Sequence, residues 1–176
     1  MRARTFPAAV VEVGRSHGVT YREAVGALSY DPDAATTTED TVFDLASLTK
    51  VLATTPLVMQ LVERGQLDLD DPVARHVPGW HGVERSAVTI RDLLAHCSGL
   101  PAWRPYYQSL RGLAAYESTI ASEPLEYGPG SRSVYSDLGF ILLGAIVGRD
   151  VPLEERFVTL LQQMGIAEEI QFRPPA

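Results

Sequence analysis

At 176 residues, with 45% hydrophobic and 21% charged side chains, the chain has the make-up of one globular domain with a core of its own. A formal net charge of -7, with no basic cluster beyond the Arg2/Arg4 start, excludes nucleic acid as an expected partner. No apolar run approaches the ~20 residues of a membrane span, and no signal-peptide stretch follows the N-terminus. Cys97 stands alone, which rules out an intrachain disulfide and a multi-cysteine zinc site. The expected molecule is cytoplasmic, away from membranes, and works without metal or cofactor.

Residues 8–14 and 19–29 read as two strands joined by Arg15-Ser16-His17-Gly18, because short β-favouring runs around a glycine-containing turn predict a hairpin. Asp31 to Asp40 has loop composition. A helix is expected from Ser47 to Gly65, where Leu48, Val51, Leu52, Thr55, Met59 and Val62 recur at helical spacing. Pro56 inside it imposes a kink or a lost hydrogen bond. Leu67 to Trp80 reads as an irregular crossing. Thr89 suits the N-cap of a short helix, Ile90 to His96, that stops at Ser98-Gly99. Further helices are expected at 107–121, about 134–147 and 152–164, with a turn at Gly128-Pro129-Gly130. A lone two-stranded hairpin is marginal, so it either packs hard on the helices or belongs to a sheet that lacks strands.

Lys50 is the only lysine among 15 basic residues. Arginine serves on a surface as well as lysine does but cannot lose its proton; lysine can, once burial and neighbouring cations lower its pKa. Ser47 precedes it by three residues, so Ser47-Leu48-Thr49-Lys50 reads as a serine nucleophile with its own base. Serine fills 11 of 176 positions, so this spacing arises by chance about 6% of the time and needs support from elsewhere. At a helix N-terminus Ser47 gains from unsatisfied backbone N–H groups that favour a developing oxyanion. One turn up the same face, Lys50 reaches the hydroxyl, while Leu48 and Val51 turn toward the core. Val42-Phe43-Asp44-Leu45-Ala46 is expected to bury the lysine and depress its pKa. The alternative is a serine N-cap beside an ordinary, partly buried cation.

A second group, Tyr135-Ser136-Asp137, opens an apolar helix after the Gly-Pro-Gly turn. A tyrosine set beside Lys50 has its phenol pKa lowered and can shuttle protons. Alternatively Ser136 or Asp137 caps the helix and Tyr135 packs in the core.

Together these residues resemble the serine β-lactamase, penicillin-binding protein and esterase superfamily, whose first signature is Ser-x-x-Lys. More narrowly they look like the branch with a Tyr-x-Asn second motif: class C β-lactamases, D-alanyl carboxypeptidases and related esterases. Thr41–Lys50, Leu61–Pro72, Leu93–Leu100 and Pro129–Phe140 all look like family segments in family order, and the likeness spans roughly residues 6–173. It implies an α/β (α+β) fold of the β-lactamase/transpeptidase type, forming a single partial domain over 1–176. The hairpin at about 8–29 and the helical region at about 45–170 would be present, and the C-terminal strands missing. It implies Ser47 as the acyl-accepting nucleophile, with its backbone N–H as one oxyanion donor, Lys50 as base partner and Tyr135 as the proton-relaying phenol. The family's substrate-contacting Asn falls at Asp137. A carboxylate there repels substrate carboxylates and accepts where an amide donates, so ester or amide substrates are expected over penicillins.

The family's third motif, Lys-Thr-Gly or His-x-Gly, lies on a later strand that supplies the second oxyanion donor. No lysine or histidine follows Tyr135 in this sequence. The chain therefore resembles the N-terminal part of such a hydrolase, with the nucleophile side of the site and not the opposing wall. Three functions stay open: hydrolysis of a small ester, amide or β-lactam-like substrate by acylation of Ser47; an inactive fragment or pseudoenzyme; and a module whose open hairpin edge pairs with strands of another chain or self-associates.

Asp68, Asp70 and Asp71 lack the glycine and terminal glutamate of a calcium loop and read as a solvated turn. His76 and His81 read as loop residues, and Cys97 as a small buried side chain rather than a thiol nucleophile. Roles for His96, Trp103, Tyr106 and Tyr107 are not decided by their positions in the sequence.

Overall fold

The structure, a computed structural model, describes residues 4–166 and 170–172. Arg2 of the basic start and residues 173–176 of the expected domain lie outside them. The chain divides into two compact units, Met1–Leu45 and Ala46–Ala176.

The first unit is built on an antiparallel hairpin. Strand β1 (Ala8–Arg15) pairs with β2 (Gly18–Gly26) from Ala8↔Gly26 to Arg15↔Gly18, with a slip in register between Val13 and Gly14. β2 stops short of residue 29 because Gly26 takes φ 92, which leaves the ladder. The chain returns to make the single bridge Ala27↔Thr36. Val11, Val13, Val19 and Tyr21 are exposed, so the backbone ladder and cross-strand pairs such as Arg22 Nε to Glu12 (2.7 Å) hold the hairpin.

The second unit is helical: α1 (Thr55–Glu63), α2 (Ile90–Leu94), α3 (Leu113–Ser122), α4 (Asp137–Val147) and α5 (Leu153–Met164). α4 is its axis. Eight of its eleven residues are buried, as its apolar composition on every face requires. Leu57, Val58 and Leu61 of α1, Ile90 and Leu93 of α2, Ile120 of α3 and Phe157 and Leu161 of α5 complete the core around it. Each such side chain contributes about 1.5–3 kcal/mol on full burial. Thr89 caps α2 as expected, in a reciprocal box with Asp92. No described helix is long and apolar enough to cross a membrane.

Four expectations need correction. The helix after Ser47 is not uniform: a wide π turn, Lys50–Thr54, precedes α1. Pro56 has no N–H to give, and just before it the Thr55 N–H reaches back five residues to the Lys50 carbonyl. Its inward face is Ala53, Thr54, Leu57, Val58 and Leu61; Leu48 and Val51, expected in the core, are 53% and 59% exposed. The segment is apolar on two faces, so periodicity alone cannot say which one turns in. The expected helix 107–121 is a single 3-10 turn, Tyr106–Gln108, followed by α3, because Gly112 breaks the run at φ 78. The expected helix from 134 begins at Asp137. Ser136 is its N-cap, with the hydroxyl accepting from the Gly139 N–H (3.3 Å), and Tyr135 stands outside the helix.

Candidate active site

Ser47 heads the helical backbone that begins at Leu48, directly after Ala46, whose φ of 44 is left-handed. Two tight turns start the run: Thr49 N–H to Ala46 O and Lys50 N–H to Ser47 O, both 3.1 Å. They bring the Lys50 side chain back over Ser47, with Nζ donating to Oγ at 3.2 Å. The same ammonium meets Asp137 Oδ1 at 2.7 Å and hydrogen-bonds the Tyr135 hydroxyl. Its Nζ lies 5.0 Å from the centre of the Tyr135 ring and 5.8 Å from that of Phe140. An ammonium has three N–H donors, and Ser47, Tyr135 and Asp137 give it three acceptors. All four residues singled out in the sequence therefore meet.

Their charges differ from expectation. Burial pulls the Lys50 pKa down, but hydrogen bonds and charge from Asp137 and Tyr135 outweigh it, and the group sits above its ordinary value. The expected depression fails because a carboxylate lies at 2.7 Å. Val42 and Phe43, expected to bury the lysine, are exposed. The tyrosine carries the opposite shift: hydrogen bonds from Ser47, then from Lys50, hold its phenol below the ordinary value, against a smaller upward push from burial and from Asp137. The group thus favours the ammonium of Lys50 and the ionised form of Tyr135 relative to their ordinary values.

Tyr135 and Asp137 are placed by a zipper between two loops. Val134 N–H bonds His96 O (2.9 Å), Gly130 N–H bonds Cys97 O (2.8 Å), Glu126 N–H bonds Gly99 O (2.8 Å) and Asp137 N–H bonds Ala102 O (2.8 Å). The buried Ser136 hydroxyl donates to Pro101 O at 2.7 Å. Gly99 is obligatory here: at φ 87, an added Cβ would lie 2.3 Å from the Tyr127 carbonyl oxygen. His96 joins the group from this zipper. Its Nδ1 accepts from the Ser136 N–H at 3.0 Å, and its ring lies 4.5 Å from the Tyr135 ring and 5.0 Å from Phe140. The one sign of this in the sequence is a histidine where α2 ends, a place that takes a left-handed residue; His96 has φ 58.

Trp103 and Tyr107 are exposed, with ring centres 6.5 Å apart. Tyr106 is structural: it packs edge-on against Tyr116, and burial together with its hydrogen bond to Glu123 pushes its pKa up to about 12. Cys97 is half-buried rather than buried, with Sγ 3.4 Å from Ala95 O. Asp70 pairs with Arg91 (2.8 Å), and Asp71 with Arg75 and His76. Among the described residues no cluster suited to a metal ion occurs. A cavity of about 310 Å³ lined by Arg75, Arg149 and Arg156 lies at the other end of α4, beside Ile146 and Val147.

The Beta-lactamase family model matches residues 1–152. A protein of Escherichia coli (strain K12) named as a D-alanyl-D-alanine carboxypeptidase is 34% identical over 163 residues, covering 81% of this chain and 37% of its own length. The class C β-lactamase of Rhodobacter sphaeroides superposes with a TM-score of 0.75 at 28% identity, over 93% of this chain and 46% of that one. EstCE1, described as a hydrolase with promiscuous acyltransferase activity, gives 0.70 at 28% identity, over 90% and 46%. The chain thus spans less than half the length of each of these relatives. With the fold, the motif order and the matched span in agreement, the chain belongs to the Beta-lactamase family and has the β-lactamase/transpeptidase-like fold.

Proposed function

We propose that this chain carries the acylating side of a serine hydrolase, with Ser47 as nucleophile, Tyr135 as its base, Lys50 as the cation that keeps the phenol acidic and Asp137 as the anchor of Lys50 and a neighbour of the substrate. The observation that carries this reading is the single ammonium shared by Ser47 (3.2 Å) and Asp137 (2.7 Å) beside a phenol held below its ordinary pKa.

The ionised phenol takes the Ser47 hydroxyl proton as Oγ bonds the carbonyl carbon of an ester. The π electron pair moves onto the carbonyl oxygen, toward the Ser47 N–H at the head of the helix. On collapse, the bond to the leaving alcohol breaks and Tyr135 returns the proton to that oxygen, leaving acyl-Ser47. Water then attacks the acyl carbon, Tyr135 again takes the proton, and the carboxylic acid departs as Ser47 recovers its own. Lys50 stays charged throughout, because its position next to Asp137 favours the ammonium.

Asp137 favours neutral ester or amide substrates over β-lactams, whose carboxylate it repels. A reactive probe should acylate this chain more readily than an ordinary ester turns over. A fluorophosphonate probe with peptide mapping tests the reading. Adduct on Ser47, lost in Ser47→Ala and strongly slowed in Tyr135→Phe, supports it; a folded chain that takes no label overturns it. A chromogenic ester should react faster than a chromogenic cephalosporin, and the reverse order would contradict the argument from Asp137.

A second reading, a module completed by strands from another chain, is favoured by the two-stranded sheet of the described residues and the exposed Val11, Val13 and Val19 on it. A clean monomer at all concentrations in size-exclusion chromatography counts against pairing between copies.

A further inference from the structure

We infer that His96 is a positioning residue that works only in its neutral form: its Nδ1 and ring hold Tyr135 against Ser47 and Lys50, and a proton on the imidazole releases the phenol. The inference rests on Tyr135 being the base of the proposed reaction, and it adds an acid-sensitive control to that site.

Tyr135 lies outside α4 and is 53% exposed, so neither the helix nor the core fixes its ring. Two neighbours do: Lys50 at one side (5.0 Å from the ring centre) and the His96 ring (4.5 Å between centres). His96 is itself held on three counts. Its carbonyl collects the Val134 N–H (2.9 Å) and the Tyr127 hydroxyl (3.3 Å), its ring packs on Phe140, and its Nδ1 takes the backbone N–H of Ser136, the residue that joins Tyr135 to α4.

Only an unprotonated Nδ1 accepts that N–H; protonation sets two donors face to face at 3.0 Å. It also adds a second cation beside Lys50. The titratable groups around His96 are Lys50 from the helical run after Ser47, Tyr135 just before α4, Asp137 at its start, and Tyr127 from the facing loop, whose hydroxyl meets the His96 carbonyl and not the ring. Burial, then Lys50, lower the imidazole pKa, and these exceed the upward pull of Asp137. The sign follows. A histidine depressed in the fold leaves the site intact above its ordinary value of about 6.5 and loosens it as pH falls through the lower folded value.

His96→Asn is the discriminating variant, because asparagine tolerates the left-handed backbone and its amide oxygen still accepts the Ser136 N–H, but it neither stacks nor titrates. Beyond the limb set by protonation of Tyr135 itself, fluorophosphonate labelling of the wild-type chain should show an additional step of slowing below about pH 6.5. In His96→Asn that step should vanish, and labelling at neutral pH should fall about tenfold to a hundredfold as Tyr135 shifts. Wild-type rates in the variant, or an acid step that survives, overturn the inference. A second readout does not need the reaction. In folded Ser47→Ala chain, imidazole ¹⁵N NMR should show His96 with its proton on Nε2, and the Tyr135 ring signals should move with the His96 titration. A proton on Nδ1 at neutral pH, or Tyr135 signals that ignore the titration, contradict it. If the wild-type chain takes no label while these signals behave as expected, the hydrolase reading fails and the His96 contact stands.

Discussion

α4, which begins at Asp137, buries eight of its eleven residues, whereas the helical run that carries Lys50 leaves Leu48, Val51, Leu52 and Met59 exposed. One side of the site is thus set by the core: Asp137 is fixed by α4 and by its N–H bond to Ala102, and the Tyr135 backbone follows from it, while the Tyr135 ring is held by Lys50 and His96. The other side, Ser47 and Lys50, hangs on local turns beneath an apolar surface. The Lys50–Asp137 ion pair ties the two together, and it does so between groups of unequal exposure, 15% and 37% at the side chains. Rigidity thus enters this site from the Asp137 side, and Asp137 passes it to Lys50 through the ion pair.

The largest expected effect that would break this comparison lies in α4. Leu142→Ala removes a fully buried side chain and should cost about 2–5 kcal/mol in urea unfolding. A smaller effect should come from Asp137→Asn, at most about 1 kcal/mol for a pair partly open to solvent. The Lys50 pKa is raised in the fold, so the contribution of the pair is fully present below the unfolded value of about 10.4 and is lost as pH rises through the folded one. Wild type and Asp137→Asn should accordingly converge in stability at strongly alkaline pH; a gap that persists there means the ion pair is not its source. Smallest of all, Leu48→Ala or Val51→Ala should change the stability of this chain by no more than about 0.5 kcal/mol. If these cost as much as Leu142→Ala, the run from Leu48 is part of the core after all and the contrast fails.

The residues that meet at the candidate site were legible in the sequence, Ser47 and Lys50 through their spacing and Tyr135 and Asp137 only through the family resemblance. The charge state of Lys50 was not, since it depends on a carboxylate brought from far along the chain and not on the apolar residues preceding Ser47. The fold was legible in its elements and less so in their faces. The run from Leu48 to Glu63 offers two apolar stripes, and only packing against α4 selects Leu57, Val58 and Leu61. Gly112 was visible as a residue, but the break it makes between Gln108 and Leu113 rests on a backbone angle that composition does not show. His96 escaped because its meaning comes from the pairing of two loops, with Ser136 as its partner, and no local pattern announces such a pairing.

In the proposed reaction a Lys50 cation held by Asp137 makes Tyr135 the proton acceptor for Ser47. The most direct test is the ionisation of Tyr135, followed by ring ¹³C NMR in the wild-type chain and in Asp137→Asn. Tyr135 should ionise below the ordinary tyrosine value of about 10, and lower still in Asp137→Asn, where the opposing carboxylate charge is gone. A Tyr135 that ionises at or above the ordinary value, or that moves upward in Asp137→Asn, would contradict it.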